Sequence, residues 1–192
     1  MPSVIDFLEF KGFTTPPALV LVGLHQHPEQ RLENVQACSA VLSNCRMVLA
    51  RARECGIPIA HVRTLYPKSA SSRLRYPPWI AGFEPMRSDM VFDLLQPSCY
   101  SNMEFSRAMD HSNGNFAIAG MFGHTTCLAT AIDAHHRGHE FSYLADAIAF
   151  CGDESAPAHA YRDAVGVIMA MYGTVTNGAR WSRRISLRQT VC

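Results

Sequence analysis

The chain has 192 residues, 48% of them hydrophobic, which is enough to bury the core of one globular domain. Its formal net charge is only +1, and its seven cysteines are odd in number and lack paired CxxC spacing. These features argue against a strongly basic nucleic-acid-binding chain and against a disulfide-rich secreted one. We therefore expect one domain over residues 1–192 and a cytoplasmic location with reduced cysteines.

The sequence gives little support for a membrane or nucleic-acid partner. It contains no run of about eighteen apolar residues, and MPSVIDFLEFKGFTTPP lacks the basic region and apolar run of a signal peptide. The only basic cluster comprises Arg180, Arg183, Arg184 and Arg188. Dispersed arginines on a tail are usually solvated. We expect no membrane partner and no nucleic-acid partner.

The first predicted elements form a strand–helix–strand unit. ALVLVGL, residues 18–24, is a short apolar run that is typical of a strand buried on both faces. Apolar residues then recur every three or four positions between Val35 and Leu49, which predicts a helix over 29–55 that ends at Gly56. IPIAHVR, residues 57–63, follows as a second strand, so parallel pairing with a right-handed crossover is expected.

Strands and helices continue to alternate after an irregular, proline-rich stretch at residues 64–90. Strands are predicted at MVFDLL, NFAIAG, EFSYLAD and near Thr174, and helices from Asn102 to Met109, up to Gly138, and over 156–172. This alternation predicts an α/β fold, a three-layer α/β/α sandwich with a mostly parallel sheet. Ligands bind such folds beyond the carboxyl ends of the strands, here near 24–27, 94–100 and 120–127.

Two segments at these strand ends resemble a known family. FAIAGMFGHTTCLATAIDAHHRGHEFSYLADA looks like the strand–loop–helix–strand signature of the isochorismatase-like hydrolases, and DMVFDLLQPSCYSNMEF is similar to their "d-v-i-x-K" strand and the turn after it. The family includes nicotinamidases, N-carbamoylsarcosine amidases and isochorismatases. The resemblance implies the three-layer fold, a small-molecule substrate and a homo-oligomer, either a dimer or a tetramer. We expect no cofactor and no bound metal.

The family's usual Asp–Lys–Cys triad is altered at all three positions. The resemblance puts the Asp at Gly23, the Lys at Leu94 and the Cys at Thr126, while Cys127 falls one place later. Cysteine-dependent amide hydrolysis by the family mechanism is therefore not expected. Two alternatives exist for Cys127. It is either a small buried thiol inside the helix, or a thiol that a one-residue bulge brings round into the site.

Histidines are the candidates to replace the missing groups. Gly23, His25 and His27 are spaced by two, so an extended backbone points them to one side, where the missing Asp side chain leaves room for an imidazole. His124 lies two residues before Thr126. We expect acid–base or water-mediated chemistry by the catalytic set Thr126, His124, His25 and His27. The alternatives are that His25 and His27 are solvated, or that three imidazoles bind zinc.

Other residues are expected to shape a substrate pocket. Trp79 and Phe83 either cover a ligand as a lid or anchor the proline-rich stretch to the core. By resemblance, Ser98 and Tyr100 line the pocket, and the segment 121–123 matches the place of a non-proline cis peptide. The expected substrate-binding residues are Gly23, Trp79, Phe83, Leu94, Ser98, Tyr100, Phe122, Gly123 and Thr125.

Two functions are favoured at this point, and a conventional cysteine hydrolase that uses Cys127 remains as a third. The first is a divergent isochorismatase-like enzyme, a hydrolase, lyase or isomerase that acts on a small molecule without the triad. The second is a catalytically inactive homologue that binds a metabolite or a protein partner.

Overall fold

The structure is a computed structural model that describes residues 18–26, 38–65, 76–150 and 157–189. The described residues form one six-stranded sheet in the order β3-β2-β1-β4-β5-β6, with every neighbouring pair parallel. The strands are β1 (Ala18–Val22), β2 (Ile59–Thr64), β3 (Met90–Leu94), β4 (Asn115–Gly120), β5 (Glu140–Ile148) and β6 (Thr174–Thr176). The predicted parallel sheet is confirmed.

Helices cover both faces of this sheet, which completes the predicted three layers. They are α1 (Ser39–Glu54), α2 (Met103–His111), α3 (Leu128–His136), α4 (Ala158–Tyr172) and α5 (Gly178–Gln189). Apolar residues of α1 and α5 pack on one face, and those of α2, α3 and α4 pack on the other. None of the helices within the described ranges is long and apolar enough to cross a membrane.

The strand order places the candidate site between β1 and β4. β1 pairs with β2 on one side and with β4 on the other, so the chain leaves the two central strands in opposite directions. In an open parallel sheet, the crevice beyond the carboxyl ends of such a pair is the usual ligand site. The two central strands are fully buried from Ala18 to Val22 and from Phe116 to Ala119 because both of their faces carry helices.

Local signals locate several element ends correctly. Asn102 caps α2, as expected, because its Oδ1 accepts the N–H groups of Glu104 and Phe105 at 3.0 and 3.2 Å. The main difference is α5, which the sequence analysis treated as a tail with scattered arginines. Trp181 and Ile185 of this helix are each 2% exposed, so their burial against α1 orders the segment as a helix.

Candidate active site

The space beyond Gly23 is filled by a phenylalanine ring. Gly23 follows β1 with a backbone φ of +67°, and its N–H donates to the carbonyl of Val62 at 2.8 Å. A Cβ at this position would lie 2.6 Å from two ring carbons of Phe122 and 3.2 Å from the Cβ of Met121. The expected room for an imidazole is absent because the Phe122 ring occupies it.

Phe122 itself has an unusual backbone conformation. Its φ of 60° and ψ of 44° lie in the left-handed region, which is uncommon for a bulky residue. Its carbonyl accepts the N–H groups of Thr125 at 3.2 Å and Cys127 at 3.1 Å, and so closes a π-helical turn over Gly123–Cys127. All peptide bonds of the described residues are trans, so the cis peptide expected near Phe122 is not present. Left-handed residues and π-turns are both enriched at functional sites.

Cys127 is a buried thiol in the core. It is 0% exposed, it lies four residues before the buried Ala131 of α3, and its Sγ donates to the carbonyl of Met121 at 3.3 Å. Burial raises the pKa of this thiol well above its ordinary value. The π-turn ends at Cys127 and leaves its side chain in the core cluster that also contains Ala131 and Ala134 of α3. Cys127 is therefore a small buried thiol, which was the first of the two alternatives for this residue.

Thr126 points in a different direction from Cys127. It is fully buried and lies four residues before Thr130, so the two threonines share one side of α3. The Oγ1 of Thr130 accepts the N–H of Cys99 at 3.0 Å. Thr126 itself belongs to the π-turn that precedes α3.

The segment after β3 is held by its own contacts. Leu94 is 0% exposed and belongs to the apolar core. The Oγ of Ser98 accepts the N–H of Tyr100 at 3.2 Å and caps a 3-10 turn over Cys99–Ser101. The hydroxyl of Tyr100 lies 2.7 Å from Nδ1 of His139, just before β5. The tyrosine hydroxyl is thus directed towards the amino end of the sheet, away from the strand ends where it was expected.

His25 is buried at the end of β1. It forms an antiparallel bridge with Trp79, and the flanking bonds join Gln26 N–H to Pro78 O at 2.8 Å and Ile80 N–H to Leu24 O at 3.1 Å. The residue is 0% exposed, and its Nε2 lies 3.4 Å from the Oγ1 of Thr64 at the end of β2. His25 is therefore not a solvated loop residue.

Trp79 joins His25 to a second buried histidine. Its ring meets the rings of His25 and His61 edge-on, at centroid distances of 6.2 and 5.5 Å. The guanidinium of Arg63 lies 5.2 Å from the Trp79 ring centroid and pairs with Asp93 at 2.7 Å. Trp79 is partly exposed, so one part of the indole anchors the chain while the other stays at the surface.

The second histidine, His61, lies beside a buried carboxylate. Its Nε2 is 3.2 Å from Oδ2 of Asp89, which also accepts the Met86 N–H at 2.9 Å and Nη2 of Arg53 at 3.1 Å. Burial holds the pKa of His61 below its ordinary value although the charge of Asp89 acts in the opposite direction. Burial acts to raise the pKa of Asp89, but the bonds from Met86 and Arg53 and the nearby positive charges outweigh it and lower that pKa.

Phe83, the other expected lid residue, packs inside the protein. It is 0% exposed and belongs to the core on the α1 face, and the guanidinium of Arg46 lies 5.0 Å from its ring centroid. Nη2 of Arg46 also donates to the carbonyl of Ala81 at 3.3 Å. Together with the Trp79 bridge, these contacts match the anchoring alternative for the described part of the proline-rich stretch.

His124 lies in the π-turn after β4 and has neighbours different from those of His25. Its ring stacks on Tyr161 of α4 at a centroid distance of 4.6 Å and on Phe150 at 6.3 Å. Phe150 follows β5, whereas the contacts of His25 are with β2 and Trp79, so the two imidazoles have different surroundings. His27 lies outside the described residues. No group of metal-binding side chains is found within the described ranges.

The remaining expected pocket residues surround the π-turn. The N–H of Gly123 donates to the carbonyl of Ala149 at 3.0 Å, and a Cβ on Gly123 would meet the Phe150 ring at 2.6 Å. Thr125 is exposed, and its Oγ1 lies 3.5 Å from the carbonyl of Phe122. The structure thus brings Gly23, Phe122 and the π-turn together at one strand end.

Thr64, Asp89 and Tyr161 are among the residues of these networks that were not anticipated. Thr64 ends an apolar strand, and the rule that places ligands beyond strand ends would have identified it. Asp89 and Tyr161 gave no such signal, because their contacts with His61 and His124 join distant parts of the chain.

Comparisons with known proteins agree with the geometry of the fold. The sequence model of the isochorismatase domain matches residues 17–179. No curated protein sequence matches the chain. Solved structures with a similar fold include an isochorismatase from Pseudomonas putida KT2440, with 19% identity, a TM-score of 0.73, and coverage of 87% of this chain and 90% of that chain.

Two further structures show the same likeness. A cysteine hydrolase from Pseudomonas syringae pv. phaseolicola 1448A has 17% identity and a TM-score of 0.76, and the match covers 91% of this chain and 94% of that chain. An N-carbamoylsarcosine amidase from Thermoplasma acidophilum has 20% identity and a TM-score of 0.67, with coverage of 85% and 96%. At these identities, the likeness concerns the fold alone.

Proposed function

Because the chain belongs to the isochorismatase family, we propose that it is a small-molecule enzyme of that family that works without the Asp–Lys–Cys triad. The observation that carries this proposal is the burial of His25 at the end of β1, with Nε2 3.4 Å from Thr64 and the ring edge-on to Trp79. A buried imidazole at the switch point of a parallel sheet is a candidate acid–base group.

The usual thiol chemistry of the family is disfavoured by three features of the site. Cys127 is buried with a raised pKa, and the thiolate is the nucleophilic form of cysteine. Gly23 has no side chain to act as a base, and the Phe122 ring leaves no space for one. Leu94, at the position of the charge-stabilising lysine, is buried among apolar residues.

In this proposal, imidazoles transfer the protons that the triad would otherwise handle. A histidine near neutral pH can take a proton from a water or a substrate and return it later. His25, His124 and His27 form the proposed set of imidazoles. Thr126 supplies a hydroxyl that orients the reacting group, so water-mediated hydrolysis, elimination and isomerisation are the reaction types considered.

The wider proposal keeps the other expectations from the sequence and from the resemblance. The substrate is a small molecule, and the proposed pocket lies around Gly23, Phe122, Gly123 and Thr125 at the ends of β1 and β4; Phe83, Leu94 and Tyr100, which pack elsewhere, are not part of it. The chain acts as a single domain in the cytoplasm and assembles as a homo-oligomer. The amidase with the same fold makes small amides reasonable members of a substrate panel.

A turnover assay tests the proposal. Conversion of isochorismate, nicotinamide, small amides and aromatic acids is followed by NMR with the wild type and with His25→Ala, His124→Ala and Thr126→Val. His111→Ala is the matched control, because this histidine is exposed on α2. We expect each site variant to lose at least about tenfold in turnover, since acid–base catalysis is worth about 10²–10⁴-fold. Unchanged turnover in all three site variants would refute the assignment.

A second function is supported by a different observation. The Phe122 ring occupies the space of the missing Asp, and Leu94 extends the core where the Lys would stand. A site whose catalytic positions are occupied by apolar side chains is consistent with an inactive homologue that binds a metabolite or a protein partner. This function predicts ligand-dependent stabilisation without conversion of any compound, and measured conversion by the wild type would exclude it.

A further inference from the structure

Helix α5 carries an outward face of unpaired arginines. Arg180, Arg183 and Arg184 are exposed and lie at helical spacings of three and four, so they share one face with Leu187. The opposite face, with Trp181 and Ile185, is buried against α1. The helix has no acidic residue along its whole length, GARWSRRISLRQ.

These three guanidinium groups are clustered on one helix face, whereas other exposed arginines of the described residues without an ion pair, such as Arg87 and Arg162, lie far apart in the chain. Four arginines elsewhere form ion pairs with carboxylates: Arg51 with Glu54, Arg53 with Asp89, Arg63 with Asp93, and Arg107 with Glu104. Within the described ranges, Arg180, Arg183 and Arg184 have neither an ion pair nor a side-chain hydrogen bond. The face is therefore a concentrated positive charge on a chain whose net charge is only +1.

This arrangement is unfavourable for the helix by itself. Like charges three or four residues apart destabilise a helix by about 0.2–0.5 kcal/mol for each pair. Arg180 is the third residue of α5, at the end where the helix dipole favours acidic side chains. A local loss of stability that no contact in the fold offsets is expected at functional surfaces.

We propose that the outward face of α5 binds the phosphate backbone of nucleic acid without sequence preference. Arginine suits this ligand because its guanidinium group forms two parallel hydrogen bonds with phosphate oxygens. A lipid surface fits less well, because membrane-bound helices insert an apolar face, and the large apolar side chains Trp181 and Ile185 of α5 are buried while Leu187 and the small Ala179 are exposed. No exposed aromatic residue lies on this face to stack with bases, so contacts are to the backbone.

The strength of binding follows from the number of phosphates contacted. Three arginines that each neutralise one phosphate give a slope of about −2.7 for log K against log salt on duplex DNA and about −2 on single strands. The affinity for duplex DNA then falls about 40-fold between 50 and 200 mM salt. Each lost arginine reduces the slope by about one unit.

The test measures fluorescence anisotropy of labelled 20-mer single-stranded RNA, single-stranded DNA and duplex DNA at 20–200 mM salt. The variant Arg180→Gln/Arg183→Gln/Arg184→Gln is compared with Arg87→Gln/Arg107→Gln/Arg162→Gln, whose three arginines are exposed elsewhere. Both variants change the formal net charge by three units, from +1 to −2. Circular dichroism and urea unfolding verify that both variants fold.

We expect the α5 variant to lose at least about tenfold in affinity and most of its salt slope, while the control variant keeps wild-type binding. We also expect the α5 variant to unfold at the same or a slightly higher urea concentration, because like-charge repulsion is removed. Equal losses in both variants would show that net charge alone is responsible and would overturn the proposal. Absence of wild-type binding at 20 mM salt would also overturn it, as would binding to phosphatidylserine vesicles but not to nucleic acid.

Discussion

The contact between Gly23 and the Phe122 ring makes a quantitative prediction about stability. In Gly23→Ala, the new Cβ would lie 2.6 Å from two ring carbons, which is well inside an ordinary carbon–carbon contact. The left-handed backbone costs an alanine about 1–2 kcal/mol. Overpacking adds about 1–3 kcal/mol. The substitution should therefore lower the free energy of unfolding by about 2–5 kcal/mol.

Gly138 provides a matched control within the same chain. Its φ is +71°, close to the +67° of Gly23, but no atom lies within 4 Å of the place where its Cβ would be. Gly138→Ala should therefore cost only the backbone part, about 1–2 kcal/mol. The difference between the two substitutions isolates the collision with Phe122.

Urea unfolding of a double-mutant cycle completes the test. The variants are Gly23→Ala, Phe122→Ala and their combination, with unfolding followed by circular dichroism. In the Phe122→Ala background, Gly23→Ala should cost only about 1–2 kcal/mol, because the ring is gone. The coupling energy should then be about 1–3 kcal/mol. Equal costs for Gly23→Ala and Gly138→Ala, together with zero coupling, would refute the filled-space explanation.

Three other predictions concern individual residues. The pKa of His61 in the folded state lies below the ordinary 6.5, so the unfolded state binds more protons as the pH drops below 6.5, and the free energy of unfolding should fall. Urea unfolding at pH 5–7.5 measures this loss. It should be smaller in His61→Phe than in His111→Ala, the control at an exposed histidine. Iodoacetamide added to the native protein should modify the partly exposed Cys38 well before the buried Cys127, and mass spectrometry showing early modification of Cys127 would contradict its burial. Asn102→Ala should lower the free energy of unfolding by about 1 kcal/mol because it removes the cap of α2. Asn102→Asp should keep most of the stability, because a carboxylate oxygen accepts the same two N–H groups.

Much of the fold was predictable because its signals are local. The apolar runs of β1 and β4 predict buried strands, and the alternation with helices predicts a parallel sheet in three layers. The cap at Asn102 depends on residues within three positions of it. Helix α5 was missed because its apolar residues are few, and its order comes from packing on α1, which is distant in sequence.

The candidate site was predictable only in part. The resemblance predicts an altered triad at Gly23, Leu94 and Thr126, which stays a prediction, and the structure shows Cys127 in the core. The resemblance could not show that the Phe122 ring fills the space beyond Gly23, because that contact depends on the left-handed backbone of Phe122. The surroundings of His25 depend in the same way on Trp79, whose bridge to β1 joins segments more than fifty residues apart.

The filled space also has a consequence for any attempt to restore family chemistry. Placing Asp, Lys and Cys at Gly23, Leu94 and Thr126 would force a carboxylate into the Phe122 ring and a lysine into an apolar core. A buried charge without a partner is costly, so such a variant is expected to unfold before its activity can be judged. Restoration therefore has to begin with Phe122, whose replacement by a smaller residue opens the crevice. A side chain at position 23 and the Phe122 ring in its present position therefore exclude each other.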